Sequence, residues 1–263
     1  MAATTTIKVS YLGDITAGYR LSGTAVDQAK PTLVLIKSMW TTSSLYEAQF
    51  KSESLADIVN LLATEPLGDN ATSCASEYFT YWDSATMALE VLDALKIKKA
   101  YALGTSQGGW IVVRMALLAP ERGCAHPRLY VDEAWRESVA KLRFSGAVSA
   151  ETLAFWDETV KSVYSGVEVL KKLRMATINL LFRDGLLARL GDVKCPVYWL
   201  QGTEDPVYGK IAPTEHIELF TSSPEATVTF VEGAGHCLNA TSPEDAEEAI
   251  LEMIKKHPWQ HKL

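Results

Sequence analysis

A serine between two glycines is the first feature of the sequence that indicates chemistry. Ser106 stands in the G-x-S-x-G stretch 104–108, after a short apolar run and before a strongly apolar segment. The run predicts a buried strand and the segment a helix, so the serine lies in a sharp strand-to-helix turn. The helix N-terminus there would stabilise negative charge. The pattern predicts a nucleophilic serine, and the alternative is a glycine-rich turn without chemistry.

A serine hydroxyl needs a base to take its proton. The chain has five histidines: His126, His216, His236, His257 and His261. His236 directly follows a predicted strand, and the preceding glycines give its loop freedom to place the imidazole over the sheet edge. The others lie in the C-terminal tail, in a polar surface segment or in an irregular stretch. We therefore expect His236 to be the base, and the alternative is an ordinary loop histidine.

A histidine base needs a carboxylate that holds its tautomer and stabilises its charged form. Glu204 and Asp205 both follow the predicted strand 197–200 and precede His236 in the chain. Either carboxylate could serve on these grounds.

The elements that must position these residues alternate along the chain. Apolar, β-branched runs predict strands at 32–36, 60–64, 100–103, 197–200 and 227–231. Helical periodicity predicts helices at 83–97, 110–119 and 243–256, and a partly helical stretch at 45–59. This order predicts an α/β fold with a doubly wound, mostly parallel sheet.

Residues 123–190 have a different character, with amphipathic helices predicted at 132–144, 149–164 and 167–181. We interpret this block as a helical cap on a core formed by residues 1–122 and 191–263. The cap could also form the interface of a homodimer.

With these residues the chain resembles the α/β-hydrolase superfamily over 32–121 and 190–256. Stretch 81–95 resembles the family's helix before the nucleophile, and 65–68 resembles one of its loops. Within the superfamily it is most similar to fungal hydrolases of polyketide and toxin biosynthesis. The resemblance implies the chain order serine, acid, histidine. It favours Asp205 over Glu204, because G-x-x-D-P-V resembles the family's acid loop.

The resemblance also implies an oxyanion hole formed by two backbone N–H groups, with departures from the usual loop. After strand 32–36 the family usually has His-Gly, whereas this chain has Lys37-Ser38. The donors would be Met39 and Gln107. Lys37 could instead add positive charge near the site.

The turn that carries Ser106 is termed the elbow, and the helix after it the elbow helix. A second departure concerns the strand that the family has after this helix. The one candidate here is 128–131, which is short and poorly apolar. Either this strand is degenerate or it is absent, and its loss would leave a gap in the sheet.

Large aromatic side chains indicate an apolar substrate. Trp40 and Trp110 each adjoin a predicted oxyanion element, and Trp156 lies in the predicted cap. We expect these three to line the substrate pocket. The alternative is that they pack the cap onto the core.

Composition excludes several other classes of protein. The net charge is −7 and no basic stripe is present, which argues against nucleic acid or an anionic membrane as partner. The four cysteines form no CxxC pair, so we expect reduced thiols and no metal site. No secretory signal or membrane-spanning run is recognisable. These features predict an intracellular protein, cytoplasmic, or peroxisomal if the final His261-Lys262-Leu263 is a targeting signal.

The sequence therefore predicts hydrolysis of an ester, lactone or thioester of a mid-sized, fairly apolar molecule, without a cofactor. Two alternatives stay open. The same residues could serve a lyase, a C–C hydrolase or an acyltransferase, or the scaffold could only bind a ligand.

Overall fold

A twisted sheet forms the centre of the protein. The computed structural model describes residues 4–76, 78–126, 149–163 and 167–258. The strands in these ranges are β1 (Thr5–Val9), β2 (Ile15–Leu21), β3 (Thr32–Ile36), β4 (Asn60–Thr64), β5 (Ala100–Gly104), β6 (Gly123–His126), β7 (Val197–Gly202) and β8 (Ala226–Val231). Their spatial order is β1-β2-β4-β3-β5-β6-β7-β8. The pairs β1–β2 and β2–β4 are antiparallel, and all other pairs are parallel. The predicted doubly wound, mostly parallel sheet is confirmed.

Helices connect the strands and cover the sheet. They are α1 (Tyr11–Asp14), α2 (Glu47–Lys51), α3 (Glu53–Ile58), α4 (Tyr81–Ala94), α5 (Gln107–Leu118), α6 (Ala150–Val163), α7 (Val167–Leu181), α8 (Ile211–Ile217), α9 (Leu238–Thr241) and α10 (Pro243–Lys256), with 3₁₀ turns at Ser43–Tyr46 and Leu187–Asp192. Helix α4 starts two residues before its predicted position because Thr80 and Asp83 form a capping box.

Burial explains why the central strands are mostly apolar. Every residue of β3, β4 and β5 is buried, as expected for parallel strands covered on both faces. One face packs against α4 and α5, through residues such as Ala88 and Ile111. The other packs against α10 through Ile250 and Met253.

The strand after the elbow helix is present, and the candidate at 128–131 was not its position. Strand β6 pairs with β5 along its whole length, from Gly123 to His126, and with β7 at Ala125. It was missed because Gly-Cys-Ala-His has no β-branched or large apolar residue. His126 thus ends a strand instead of lying in an irregular stretch. Residues 128–131 lie outside the described ranges.

The predicted insertion is described in part. Helix 167–181 has its predicted bounds, helix 149–164 is found at 150–163, and helix 132–144 lies outside the described residues. The division into core and cap stays a prediction, although β6 uses the first four residues assigned to the cap.

Within the described ranges, no helix has the length and apolar character needed to cross a membrane. In the same ranges, no group of three or more His, Cys, Asp and Glu side chains is arranged to hold a metal ion. The C-terminal residues 261–263 lie outside them.

Candidate active site

Ser106 lies in the strained turn that its sequence pattern predicts. It follows β5 and precedes the first residue of α5, with φ of 55° and ψ of −119°. A non-glycine residue rarely adopts such a backbone, and strain of this kind is concentrated at functional sites. The side chain is fully buried, and its Oγ has no hydrogen-bond partner among the described residues.

The two glycines of the motif permit close backbone contacts around this turn. A Cβ atom on Gly108 would lie 1.9 Å from the carbonyl oxygen of Ile36, at the end of the adjacent strand β3. One on Gly104 would lie 2.3 Å from the carbonyl carbon of Gly108. Both contacts are far shorter than any real Cβ contact, so only glycine fits at either position.

Asp205 and His236 form a buried pair. Asp205 Oδ2 lies 3.0 Å from His236 Nδ1, and both side chains are almost fully buried. The same Oδ2 accepts a hydrogen bond from Gln201 Nε2, and Oδ1 accepts one from the N–H of Val207. Burial alone would raise the pKa of the Asp205 carboxyl. The hydrogen bond and charge of His236, with the bonds from Val207 and Gln201, outweigh burial and lower that pKa to about 2.

Parallel pairing brings the loops of this pair together. Strands β7 and β8 are in register from Val197 to Gly202, so both loops leave the same sheet edge. A Cβ atom on Gly202 would lie 2.2 Å from the carbonyl oxygen of Ala234. Glu204 donates its backbone N–H to that same oxygen, and its side chain is exposed. The geometry therefore pairs Asp205, and not Glu204, with the histidine.

Ser106, Asp205 and His236 all follow the carboxyl ends of parallel strands, β5, β7 and β8 respectively. In open α/β sheets this edge is where ligands bind. The structure thus places the three predicted residues at one edge of one sheet.

A buried polar network beneath Ser106 was missed by the sequence reasoning. The hydroxyl of Thr105 lies 2.9 Å from Tyr46 Oη and 2.9 Å from Asn239 Oδ1. Tyr46 also donates to the carbonyl of Ile36, and Asn239 Nδ2 donates to the carbonyl of Leu45. The network links the elbow to the helix after His236. A Thr before the serine is no signal by itself, because its partners are distant in the chain.

Lys37 lies in a second buried network. Its Nζ lies 3.2 Å from Asp69 Oδ1 and 3.6 Å from Glu65 Oε2, and all three side chains are at most 1% exposed. Asp69 Oδ2 accepts a hydrogen bond of 2.9 Å from Gln107 Nε2. The positive charge that Lys37 could bring to the site is therefore paired with carboxylates.

Met39, one of the two predicted oxyanion residues, is buried against helix α7. It packs with Ala176 and Leu180 of α7, and Trp40 joins this cluster. Trp40 is half-buried and has a left-handed φ of 57°. Helix α7 thus covers the loop that would supply one oxyanion donor.

The other two pocket candidates lie in separate apolar clusters. Trp110 packs in the cluster under α4 and α5, and the guanidinium carbon of Arg183 lies 5.0 Å from its ring centroid. Trp156 packs with Tyr198 and Cys237 on the other face of the sheet. Each of the three Trp residues packs in an apolar cluster, and their contact with substrate stays a prediction.

Other histidines have other partners. His257 Nε2 lies 2.8 Å from Glu225, at the opposite edge of the sheet from Ser106. His216 lies beside the ring of Trp199. Cys74, Cys195 and Cys237 are not disulfide-bonded within the described residues.

A surface cleft of about 450 Å³ lies at the amino ends of the strands. It is lined by Lys99, Tyr101, Arg122, Lys194, Lys256 and His257, among others. None of the three candidate residues lines it, so this cleft is separate from the site at the carboxyl ends.

Comparison with known proteins places the chain in a family. The model of the alpha/beta hydrolase family matches residues 37–249, which is well over half of the chain. None of the curated proteins matches the sequence.

Solved structures with the same fold cover nearly the whole chain. A hydrolase from Pseudomonas aeruginosa is 22% identical, with a TM-score of 0.71 over 95% of this chain and 98% of its own. A bromoperoxidase from Bacillus anthracis is 18% identical, with a TM-score of 0.74 over 96% and 100%. A thermophilic esterase from Thermogutta terrifontis is 17% identical, with a TM-score of 0.72 over 97% and 99%. At these identities the likeness shows the fold alone. From the family match and the sheet described above, the chain belongs to the alpha/beta hydrolase family.

Proposed function

We propose that this protein is a serine hydrolase that cleaves an ester, lactone or thioester through an acyl-enzyme. The observation that carries the proposal is the buried Asp205–His236 pair, at the same sheet edge as the strained Ser106. A bromoperoxidase shares the fold, so the argument for hydrolysis rests on these side chains and not on the likeness.

The first half-reaction forms the acyl-enzyme. Asp205 accepts a hydrogen bond from Nδ1–H of His236, which leaves Nε2 unprotonated as the base. His236 takes the proton of Ser106, and Oγ attacks the substrate carbonyl carbon. The N–H groups of Met39 and Gln107 stabilise the oxyanion. The imidazolium then gives its proton to the leaving group as the bond from carbon to that group breaks.

The second half-reaction releases the acid. His236 takes a proton from water, and the resulting hydroxide attacks the acyl carbon of the ester on Ser106. The imidazolium returns its proton to Ser106 Oγ as that bond breaks. Asp205 stays ionised throughout, consistent with the low pKa of its carboxyl.

The substrate that we propose is mid-sized and fairly apolar. Trp40 and the buried Met39 adjoin α7, and Trp110 lies three positions after Gln107, which would supply the other donor. These groups offer an apolar surface near the reacting carbonyl. A place in fungal secondary metabolism stays a prediction from the resemblance.

The alternative enzyme classes lose their main support. A free Lys37 cation in the oxyanion loop would favour a lyase, a C–C hydrolase or an acyltransferase. Lys37 faces Asp69 and Glu65 instead, so no observation here favours those reactions over hydrolysis.

Turnover of p-nitrophenyl esters of increasing acyl length tests the proposal. We expect Ser106→Ala to lose at least about 10³-fold in kcat/KM. The matched control is Ser223→Ala, which removes a serine hydroxyl at the opposite edge of the sheet and should leave kcat/KM unchanged. Equal turnover by Ser106→Ala and the wild-type protein would sink the serine mechanism. Tight retention of a ligand without turnover by the wild-type protein would favour the binding-protein alternative.

A further inference from the structure

The buried cluster of Lys37, Asp69 and Gln107 joins the two segments that would form the oxyanion hole. We propose that Asp69 is a positioning residue that fixes these segments to each other, one through each of its carboxylate oxygens. This inference rests on the proposed function, since it assigns a role in stabilising the oxyanion of that reaction.

The two carboxylate oxygens of Asp69 contact different segments. Oδ1 lies 3.2 Å from Nζ of Lys37, which stands two residues before Met39. Oδ2 accepts a hydrogen bond of 2.9 Å from the side chain of Gln107, whose backbone N–H is the other donor. A single carboxylate thus lies between the β3 loop and the start of α5.

Burial makes this arrangement specific. Asp69 is 0%, Lys37 1% and Gln107 3% exposed. A buried ion pair and a buried amide have no water to replace a lost partner, so the three groups hold one geometry. Asp69 is itself held by a tight turn, because its backbone N–H donates to the carbonyl of Pro66.

Lys37 is not positioned to stabilise the oxyanion by its own charge, because carboxylates face it. Lys37 faces two carboxylates, and ionisation of both would leave a net negative charge near the oxyanion. Burial raises the pKa of the Glu65 carboxyl, although the charge of Lys37 opposes this. Because Lys37 is enclosed by these carboxylates, the contribution of the cluster is to hold two N–H groups at a fixed separation.

A positioning role predicts a selective kinetic effect. Misplaced oxyanion donors weaken the transition state more than the bound substrate, so kcat falls while KM changes little. Affinity for a trifluoromethyl ketone should fall by the same factor. Ser106 Oγ bonds to the ketone carbon, His236 takes the serine proton, and the resulting alkoxide occupies the oxyanion hole.

The experiment compares Asp69→Asn and Gln107→Met with the control Tyr198→Phe, which removes a part-buried hydroxyl at the amino end of β7. Gln107→Met keeps the backbone N–H and the Lys37–Asp69 pair, so it remains informative if Asp69→Asn does not fold. For Asp69→Asn and Gln107→Met we expect kcat lower by about 10- to 100-fold, because loss of a whole oxyanion donor costs about 10²- to 10³-fold. The inhibition constant of the ketone should rise equally, and KM should stay within about 2-fold.

Three outcomes test the positioning role of Asp69. A parallel loss in kcat and ketone affinity in both variants, with Tyr198→Phe unaffected, supports the inference. If the wild-type protein is labelled at Ser106 by a fluorophosphonate and both variants keep wild-type kcat, the positioning role alone is overturned. If the wild-type protein is not labelled, the proposed function and this inference both fail.

Discussion

The carboxylate of Asp205 lies 3.0 Å from Nδ1 of His236, although the two residues are 31 positions apart in the chain. The in-register pairing of β7 with β8 makes this contact possible, because both loops leave the sheet at the same edge. The pair is buried, so its ionisation is coupled to the stability of the fold as well as to chemistry.

Asp205→Asn should reduce stability in a pH-dependent way. In the folded wild-type protein the pKa of the Asp205 carboxyl is about 2, which is lower than its ordinary value of 3.8. Ionised Asp205 therefore stabilises the fold at pH values above 3.8. The contribution is lost as the pH falls from about 4 towards 2. We expect Asp205→Asn to cost about 2 kcal/mol at pH 7 and about half as much at pH 3. Urea unfolding at both pH values measures this difference, and a cost that is the same at both would contradict it.

The strained backbone of Ser106 predicts that activity and stability oppose each other at this position. With φ of 55° and ψ of −119°, glycine should be tolerated better than alanine. Both variants should lose activity. Ser106→Gly should be more stable than Ser106→Ala by about 1 kcal/mol, the reverse of the usual order in a helix or strand. Thermal melting of the two proteins checks this order, and a more stable alanine variant would show that the turn is not strained.

Thr105→Val should weaken the network that connects the elbow to the helix after His236. It removes the hydroxyl that donates to Asn239 Oδ1 and lies beside Tyr46 Oη, at a cost of about 1–3 kcal/mol, although Tyr46 keeps its hydrogen bond to Ile36. Thr105→Ser keeps the hydroxyl and is the matched control, expected to retain most of the stability. Denaturant midpoints and kcat should fall together for Thr105→Val only. Equal midpoints for the two variants would mean that the hydroxyl is dispensable.

Much of this site could be predicted from the sequence. The motif around Ser106, the glycine loop before His236 and the loop with Asp205 each follow a predicted strand, so local pattern places these loops at one edge. The choice of Asp205 over Glu204 came from the family resemblance. Helices 167–181 and 243–256 have their predicted bounds because their periodicity is uninterrupted.

Other features depend on contacts that no local pattern encodes. Strand β1 was missed because its residues are mostly exposed and Thr-rich, and β6 because it is short and held by its neighbours. Asp69 lies 38 residues from Gln107, and nothing near it in the chain indicates that pairing. The pairing of Lys37 with Asp69 is equally hidden in the sequence, so Lys37 was interpreted as a possible positive charge near the site.

Glu65→Gln should change how stability depends on pH. Burial raises the pKa of the Glu65 carboxyl above its ordinary value of 4.5. Protonated Glu65 therefore stabilises the fold below about that pH, and the contribution is lost as the pH rises through the raised pKa. Glutamine removes this loss, so the variant should gain stability relative to the wild-type protein between pH 5 and pH 8. Melting temperatures at both ends of this range test it, and a constant difference would contradict the raised pKa.

The central claim is that Ser106 is an activated nucleophile, and covalent labelling tests it most directly. The protein is treated with a fluorophosphonate, digested and mapped by mass spectrometry, with Ser106→Ala and His236→Ala treated alongside. We predict one adduct, on Ser106, formed rapidly in the wild-type protein, absent in Ser106→Ala and at least about 10³-fold slower in His236→Ala. Labelling of another residue, or an equal rate in His236→Ala, would contradict the account.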